Sequence, residues 1–192
     1  MALSNILTIA QSGGFAKPSL YRVTAPADSF VGVDQILIKS ASLPAATLGT
    51  IELPYRGRKV KIPSNRTYEP WQITVTYAVP TGGANSSTDI RANFQKWIDT
   101  LQSPKANGIL PGGGTPGDDL TQWGEVWEVA LLDPTDNTKD IADSKFTLHG
   151  CYPSELGTVS LDTETTDSLA EFTVTIYYSY HTVGTVGTIG TG

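Results

Sequence analysis

The chain has 192 residues, 39% of them hydrophobic, with Gly 19, Pro 12 and a net charge of −6. That length fits one large domain or at most two small ones, and a domain of this size buries roughly 70% of its unfolded surface, so it needs no disulfides. The single cysteine, Cys151, excludes an internal disulfide framework. The first residues lack the basic start of a signal peptide, and no apolar run reaches the ~18 residues of a membrane span. The expectation is a soluble protein made in a cytosol. Charge is unevenly placed: residues 1–100 hold 10 Lys and Arg against 6 Asp and Glu, and residues 101–192 hold 3 against 13. Such asymmetry suits a nucleic-acid contact or complementary faces on one subunit, but the overall acidity argues against a tight grip on DNA, which needs excess Lys and Arg.

In chain order, Leu3, Ile6, Leu7 and Ala10 have the spacing of a short amphipathic helix ended by Gly13 and Gly14. Strands are predicted near 19–25 and over 35–42. Residues 44–63 read as a hairpin with arms near 47–53 and 58–63 and a turn at Arg56 and Gly57, punctuated by Pro44, Pro54 and Pro63. The clearest alternation follows: Trp71, Ile73, Val75 and Tyr77 face one way, and Gln72, Thr74 and Thr76 the other. Over 88–101, Ile90, Phe94, Trp97, Ile98 and Leu101 make one apolar helical stripe, with Ser86, Ser87 and Thr88 as candidate N-caps.

Residues 103–122 are Gly- and Pro-rich and read as a surface loop. Strands are expected at 125–132, 144–149 and 158–163, with HGCYPSELG as a turn. The longest strand is expected at 169–180, where Phe172, Val174, Ile176, Tyr178 and Tyr180 oppose Thr173, Thr175, Tyr177 and Ser179. The low-complexity end, 181–192, reads as a tail or as an arm that orders on a neighbour. The fold class is mainly β: a single barrel- or sandwich-like domain over 1–180 with one flanking helix and a short N-terminal helix.

Few residues could carry catalytic chemistry. His149, His181 and Cys151 do not supply a zinc set, and a Cys151 nucleophile would need His149 as its base, for which a structural thiol is the better reading. GGGTPGDD at 112–119 lacks the Gly-Lys-Ser/Thr ending of a phosphate loop. Asp162, Glu164 and Asp167 have no calcium-loop frame and read as a solvated turn. Arg56, Arg58, Lys59, Lys61 and Arg66 form the one basic cluster. It reads either as a charged hairpin that blunts an edge, or as a contact with a polyanion or with the acidic half of another copy, the kind of heterologous contact that makes rings or filaments.

Four stretches carry a resemblance. These are FAKPSLYRV, the run from Ser42 to Tyr77 with its Arg66-Thr67-Tyr68-Glu69 turn and Trp71, FQKWIDTLQS, and the closing section with Gly150, Tyr152-Pro153 and Gly157. In order and spacing they resemble the tail tube proteins of contractile-tailed bacteriophages, from about Leu3 to Tyr180. The resemblance implies a structural virion protein and not an enzyme, without cofactor or metal. Its copies would form hexameric rings stacked into the inner tube of a contractile tail, the conduit for DNA ejection. Implied partners are the protein itself, the tail sheath, baseplate and tail terminator proteins, and transiently the tape measure protein and DNA in the lumen, without stable membrane contact. Assembly would take place in the host bacterial cytoplasm.

On that reading the basic cluster, Arg56, Arg58, Lys59, Lys61 and Arg66, lies between subunits or rings. Gln72, Thr74, Thr76, Thr173, Thr175 and Tyr177 are lumen candidates, and Trp71, Phe94 and Trp97 anchor the core. An acidic lining would keep DNA phosphate mobile. The competing readings are a tube subunit or tube initiator of a related injection machine (bacteriocin, secretion system or baseplate), a carbohydrate-binding β-sandwich suggested by four tryptophans, and a hydrolase.

Overall fold

The computed structural model describes residues 14–26, 38–77, 89–102, 124–136, 138–141, 144–160 and 168–184. The expected N-terminal helix, the 103–122 loop and the Asp162/Glu164/Asp167 turn lie outside the described residues. Nine strands and one helix are described: β1 (Tyr21–Thr24), β2 (Ile38–Ala41), β3 (Ala46–Tyr55), β4 (Arg58–Tyr68), β5 (Trp71–Thr76), α1 (Ile90–Leu101), β6 (Glu125–Leu131), β7 (Phe146–Leu156), β8 (Glu171–Tyr177) and β9 (Tyr180–Val183). All pairings are antiparallel.

The main sheet runs β1-β6-β7-β8-β5-β2, with β9 added to β7. It folds over on itself because β7 pairs with different strands through its two halves. Phe146–Cys151 faces β6 and β9, and Tyr152–Leu156 faces β8. Between the halves sits Gly150 at φ 68°, a left-handed conformation that costs glycine nothing and lets the strand bend from one layer into the other. HGCYPSELG is therefore not a turn but the greater part of one long strand. Of the expected 158–163 strand, residues 158–160 are irregular. The strand expected to run unbroken to residue 180 stops at Tyr177; β9 then restarts the chain, so Tyr180 is exposed while Tyr178 is buried.

The two ends of the sheet approach each other without pairing. The hydroxyl of Tyr21 on β1 donates to the carbonyl of Ile38 on β2 at 2.8 Å, so the barrel is nearly closed and stays open at that seam.

The core lies between the two halves. Trp71 on β5 meets Trp127 on β6 edge to face, with ring centroids 6.0 Å apart, and the Trp71 indole donates to the carbonyl of Ser42. Ile73, Val75, Val174 and Ile176 fill the space around them. Helix α1 adds its stripe to the same core. Phe94 and Trp97 are fully buried, and Phe94 meets Phe172 edge-on at 6.4 Å. The helix thus packs on the apolar side of β8, opposite the Thr173 and Thr175 side. Its N-cap is Asp89, whose carboxylate accepts from the Ala92 amide at 3.0 Å and also from the Tyr77 hydroxyl at 2.7 Å. The second bond ties the cap to Tyr77, just past the end of β5, and the helix starts beyond the Ser86–Thr88 group.

Trp97→Ala should lower unfolding stability by about 3–5 kcal/mol, the usual cost of deleting a fully buried large aromatic. Denaturant titration followed by circular dichroism measures it, and a change near zero would show that the helix is not bound through this side chain.

Candidate functional site

Two features stand outside the core, and together they hold most of the residues singled out by sequence. The first is the ribbon β3–β4. It turns through Arg56 at φ 47° and Gly57 at φ 77°, the two left-handed positions of a tight hairpin turn whose twist matches the strands. It pairs with no other strand among the described residues. At about 3.3 Å per residue it reaches roughly 30 Å, and a two-stranded ribbon of this kind is marginal on its own in water.

The register sorts its side chains by face. Ile51 opposes Ile62, Leu53 opposes Val60 and Tyr55 opposes Arg58, whereas Glu52 opposes Lys61 and Pro54 opposes Lys59. One face is apolar, and its Ile51, Leu53, Tyr55, Val60 and Ile62 are each about half exposed. The other is charged: Glu52 holds Lys59 at 3.1 Å and Lys61 at 3.9 Å. The basic cluster is accordingly divided. Lys59 and Lys61 share one carboxylate, Arg58 stands opposite Tyr55 on the apolar face, and Arg56 lies 5.4 Å over the Tyr55 ring. Arg66 sits near the root of the ribbon, opposite Leu48. Sequence reasoning followed the charges and missed the apolar face, although its period-two spacing on both arms was there to be read.

The second feature is the polar side of β5 and β8. Gln72 opposes Thr175 and Thr74 opposes Thr173, and Thr76 lies on the same side one step along. The rows continue sideways: Ser40 of β2 beside Thr74, Glu155 of β7 beside Thr175, and Tyr152 beside Tyr177. Tyr152 and Tyr177 stack with centroids 6.0 Å apart. These rows are therefore mainly hydroxyl and amide, with Glu155 and, opposite Thr76, Glu171 as their carboxylates. At the end of β8, Glu171 is bound to Lys39 at 2.7 Å.

The suspected chemical groups have other roles. Cys151 is buried, and that burial pushes its thiol up to about 12. A thiol so protonated is a poor nucleophile. His149 stacks on Tyr180 at 4.5 Å, with Nε2 3.4 Å from the Thr182 hydroxyl. Among the described residues no three His, Cys, Asp or Glu side chains gather as metal ligands, and no helix is long and apolar enough to cross a membrane.

No protein-family model matches the chain. Curated sequences do. The tail tube protein gp19 of Enterobacteria phage T4 is 23% identical over 181 residues, covering 94% of this chain and 99% of its own length. The tail tube protein of Serratia phage KSP90 is 27% identical over 176 residues, covering 88% of this chain and 89% of its own. Over nearly its whole length the chain is similar to phage tail tube proteins.

Solved structures agree on the fold. A chain of the sheath-tube complex of an extracellular contractile injection system matches with TM-score 0.58 at 16% identity, covering 94% of this chain and 97% of that one. A chain of the anti-feeding prophage tube cap matches with TM-score 0.57 at 19% identity, covering 89% and 91%. The chain thus shares the layered β fold of these structures, with a ribbon and a hydroxyl face left uncovered.

Cys151 should react with a chromogenic disulfide reagent near neutral pH at least about 100-fold more slowly in the folded protein than in denaturant. Comparable rates would place the thiol at the surface.

Proposed function

We propose that this protein is the structural subunit of the inner tube of a contractile phage tail, assembling as hexameric rings that stack around a lumen. The observation that carries the reading is the apolar face of the ribbon, taken with near full-length similarity to phage tail tube proteins. Fully burying a Val, Leu or Ile stabilises by about 1.5–3 kcal/mol, and these side chains are half exposed, so roughly 1 kcal/mol remains at each for a neighbouring copy to supply. A face of this kind on an otherwise well-packed protein marks an interaction surface.

The ribbon is the assembly arm. Its apolar face adheres to the adjacent subunit, and the exposed cations Arg56, Arg58, Lys59, Lys61 and Arg66 orient it toward the acidic second half of that neighbour. The rows of Gln72, Thr74, Thr76, Thr173, Thr175 and Tyr177 form part of the lumen wall. A wall mainly of hydroxyls, whose nearby cation Lys39 is already held by Glu171, offers phosphate little to grip, so DNA slides without counterion release to hold it. The role is mechanical, not enzymatic. The sheath, baseplate and terminator proteins are its partners outside the lumen, with the tape measure protein and DNA inside it, and its place is the virion tail, assembled in the host cytoplasm.

The fold neighbours from injection systems keep a second reading in view, a tube of a related machine, but the curated sequence relatives named above are phage proteins. Burial of Trp71, Trp97 and Trp127 removes three of the aromatics on which a carbohydrate-binding face would rely.

Two experiments test the assignment. Ile51→Asp with Val60→Asp should abolish pelleting of assembled protein in sedimentation while leaving the circular dichroism spectrum intact. Arg58→Glu with Lys59→Glu should instead weaken assembly most at low salt, with added salt restoring part of it, since the like-charge repulsion it introduces is screened. Wild-type pelleting by the Ile51/Val60 variant would remove the ribbon from the interface. Single thiols placed at Thr74 and Thr175 should be shielded from a bulky maleimide in assembled protein, and full labelling there would take this face out of the lumen.

A further inference from the structure

The ribbon meets the body of the protein at one aromatic joint. Tyr68, the last residue of β4, lies 5.6 Å from Tyr178 and 5.2 Å from His181, ring to ring. On the other arm, the carbonyl of Ala45, just before β3, accepts the Tyr178 hydroxyl at 3.1 Å and the Glu69 amide at 3.3 Å. His181 is central to this joint. Strand β9 holds it opposite Leu148, with Phe146 edge-on at 5.7 Å and Tyr178 tilted at 5.9 Å. Its Nδ1 is buried and has no hydrogen-bond partner among the described residues.

The charged and titratable groups around the joint come from each packed element. Arg66 and Tyr68 are on β4, and Glu69 follows it. Cys151 on β7 and Tyr178 after β8 are buried, with Tyr178 pushed up to about 12 by burial and by Tyr68, Cys151 and Glu69. Phe146 and Leu148, the β7 side chains against His181, carry no charge. Burial, with Arg66 adding to it, holds the His181 imidazole below its ordinary value. Edge-on rings offer a cation some attraction, but the protonated ring would carry a buried N–H with no acceptor, facing a like charge.

We propose that His181 is a pH-sensitive latch on the ribbon: neutral, it completes the aromatic joint and fixes the arm; protonated, it loosens the joint and withdraws the arm from assembly. The latch rests on the reading of the ribbon as the assembly arm, but its switch is a property of the single subunit. The sign follows from linkage. A base whose folded pKa lies below its unfolded value lends stability that is complete above the unfolded value, about 6.5 for histidine. That stability is lost as pH falls through the interval down to the folded value. His149, also lowered by burial, contributes in the same direction, so the test must be local.

Hydrogen exchange of the unassembled full chain, corrected for intrinsic rates, is measured from about pH 7.5 to about pH 5, spanning the titration of histidine. The wild type should lose on the order of tenfold protection at Ala46–Leu48 and Arg66–Tyr68 toward acid, while β5 and β8 hold theirs. His181→Phe, which keeps the ring and removes the proton site, should abolish that loss; His181→Gln serves the same end if the phenylalanine variant does not fold. Unchanged root protection in the wild type, or an equal acid loss in the variants, overturns the latch. In sedimentation, acid should dissolve wild-type assemblies and spare those of His181→Phe. Absence of assembly at every pH alongside a clear exchange switch would instead remove the tube reading and leave the latch standing.

Discussion

Strand β7 pairs with β6 and β9 through its first half and with β8 through its second, and the layered fold depends on that double membership. The bend at Gly150 turns one sheet into two facing layers, which brings Trp71 against Trp127 and leaves room for Phe94 and Trp97 of the helix. Apolar burial on the inner side then commits the outer side of β5 and β8 to polar residues, because a strand's side chains alternate. The hydroxyl face is in this sense a consequence of the core.

The same economy explains the ribbon. Among the described residues the inner faces of β5, β6, β7 and β8 and the stripe of α1 make one buried core. The ribbon's Ile51, Leu53, Tyr55, Val60 and Ile62 project away from that core on a two-stranded unit with two open edges. An isolated edge is normally a hazard. In a subunit of a closed assembly it becomes the means of assembly, since a neighbour can bury the face and cover the edge. The charged face, where Glu52 already holds Lys59 and Lys61, keeps the ribbon soluble and gives it a polarity that distinguishes one side of a neighbour from the other.

Much of this was legible in the sequence where periodicity was strong. The alternation over 71–76 and 171–177 marked both the core residues and the polar rows, and the spacing of Phe94 and Trp97 marked the helix. Where glycine and proline intervene, local signals misled. Gly150 and Pro153 look like a turn, yet tertiary pairing carries β7 straight through both. Pro54 and Pro63 look like strand ends, but each strand of a two-stranded ribbon has an open edge where a missing N–H costs no ladder bond, so β3 and β4 extend to Tyr55 and Tyr68. The lone histidine at 181 looked like the start of a tail. Only the fold shows it inside the joint, because Tyr68 and Phe146 come from distant parts of the chain.

The central claim is that the uncovered ribbon and hydroxyl face are completed by other copies of this chain. Electron microscopy of the purified protein, concentrated or offered a baseplate as a nucleating template, tests it most directly. The account predicts hollow rings or tubes with six-fold symmetry, the lumen lined by β5 and β8. A protein that stays monomeric under both conditions, with the ribbon free in solution, would contradict it.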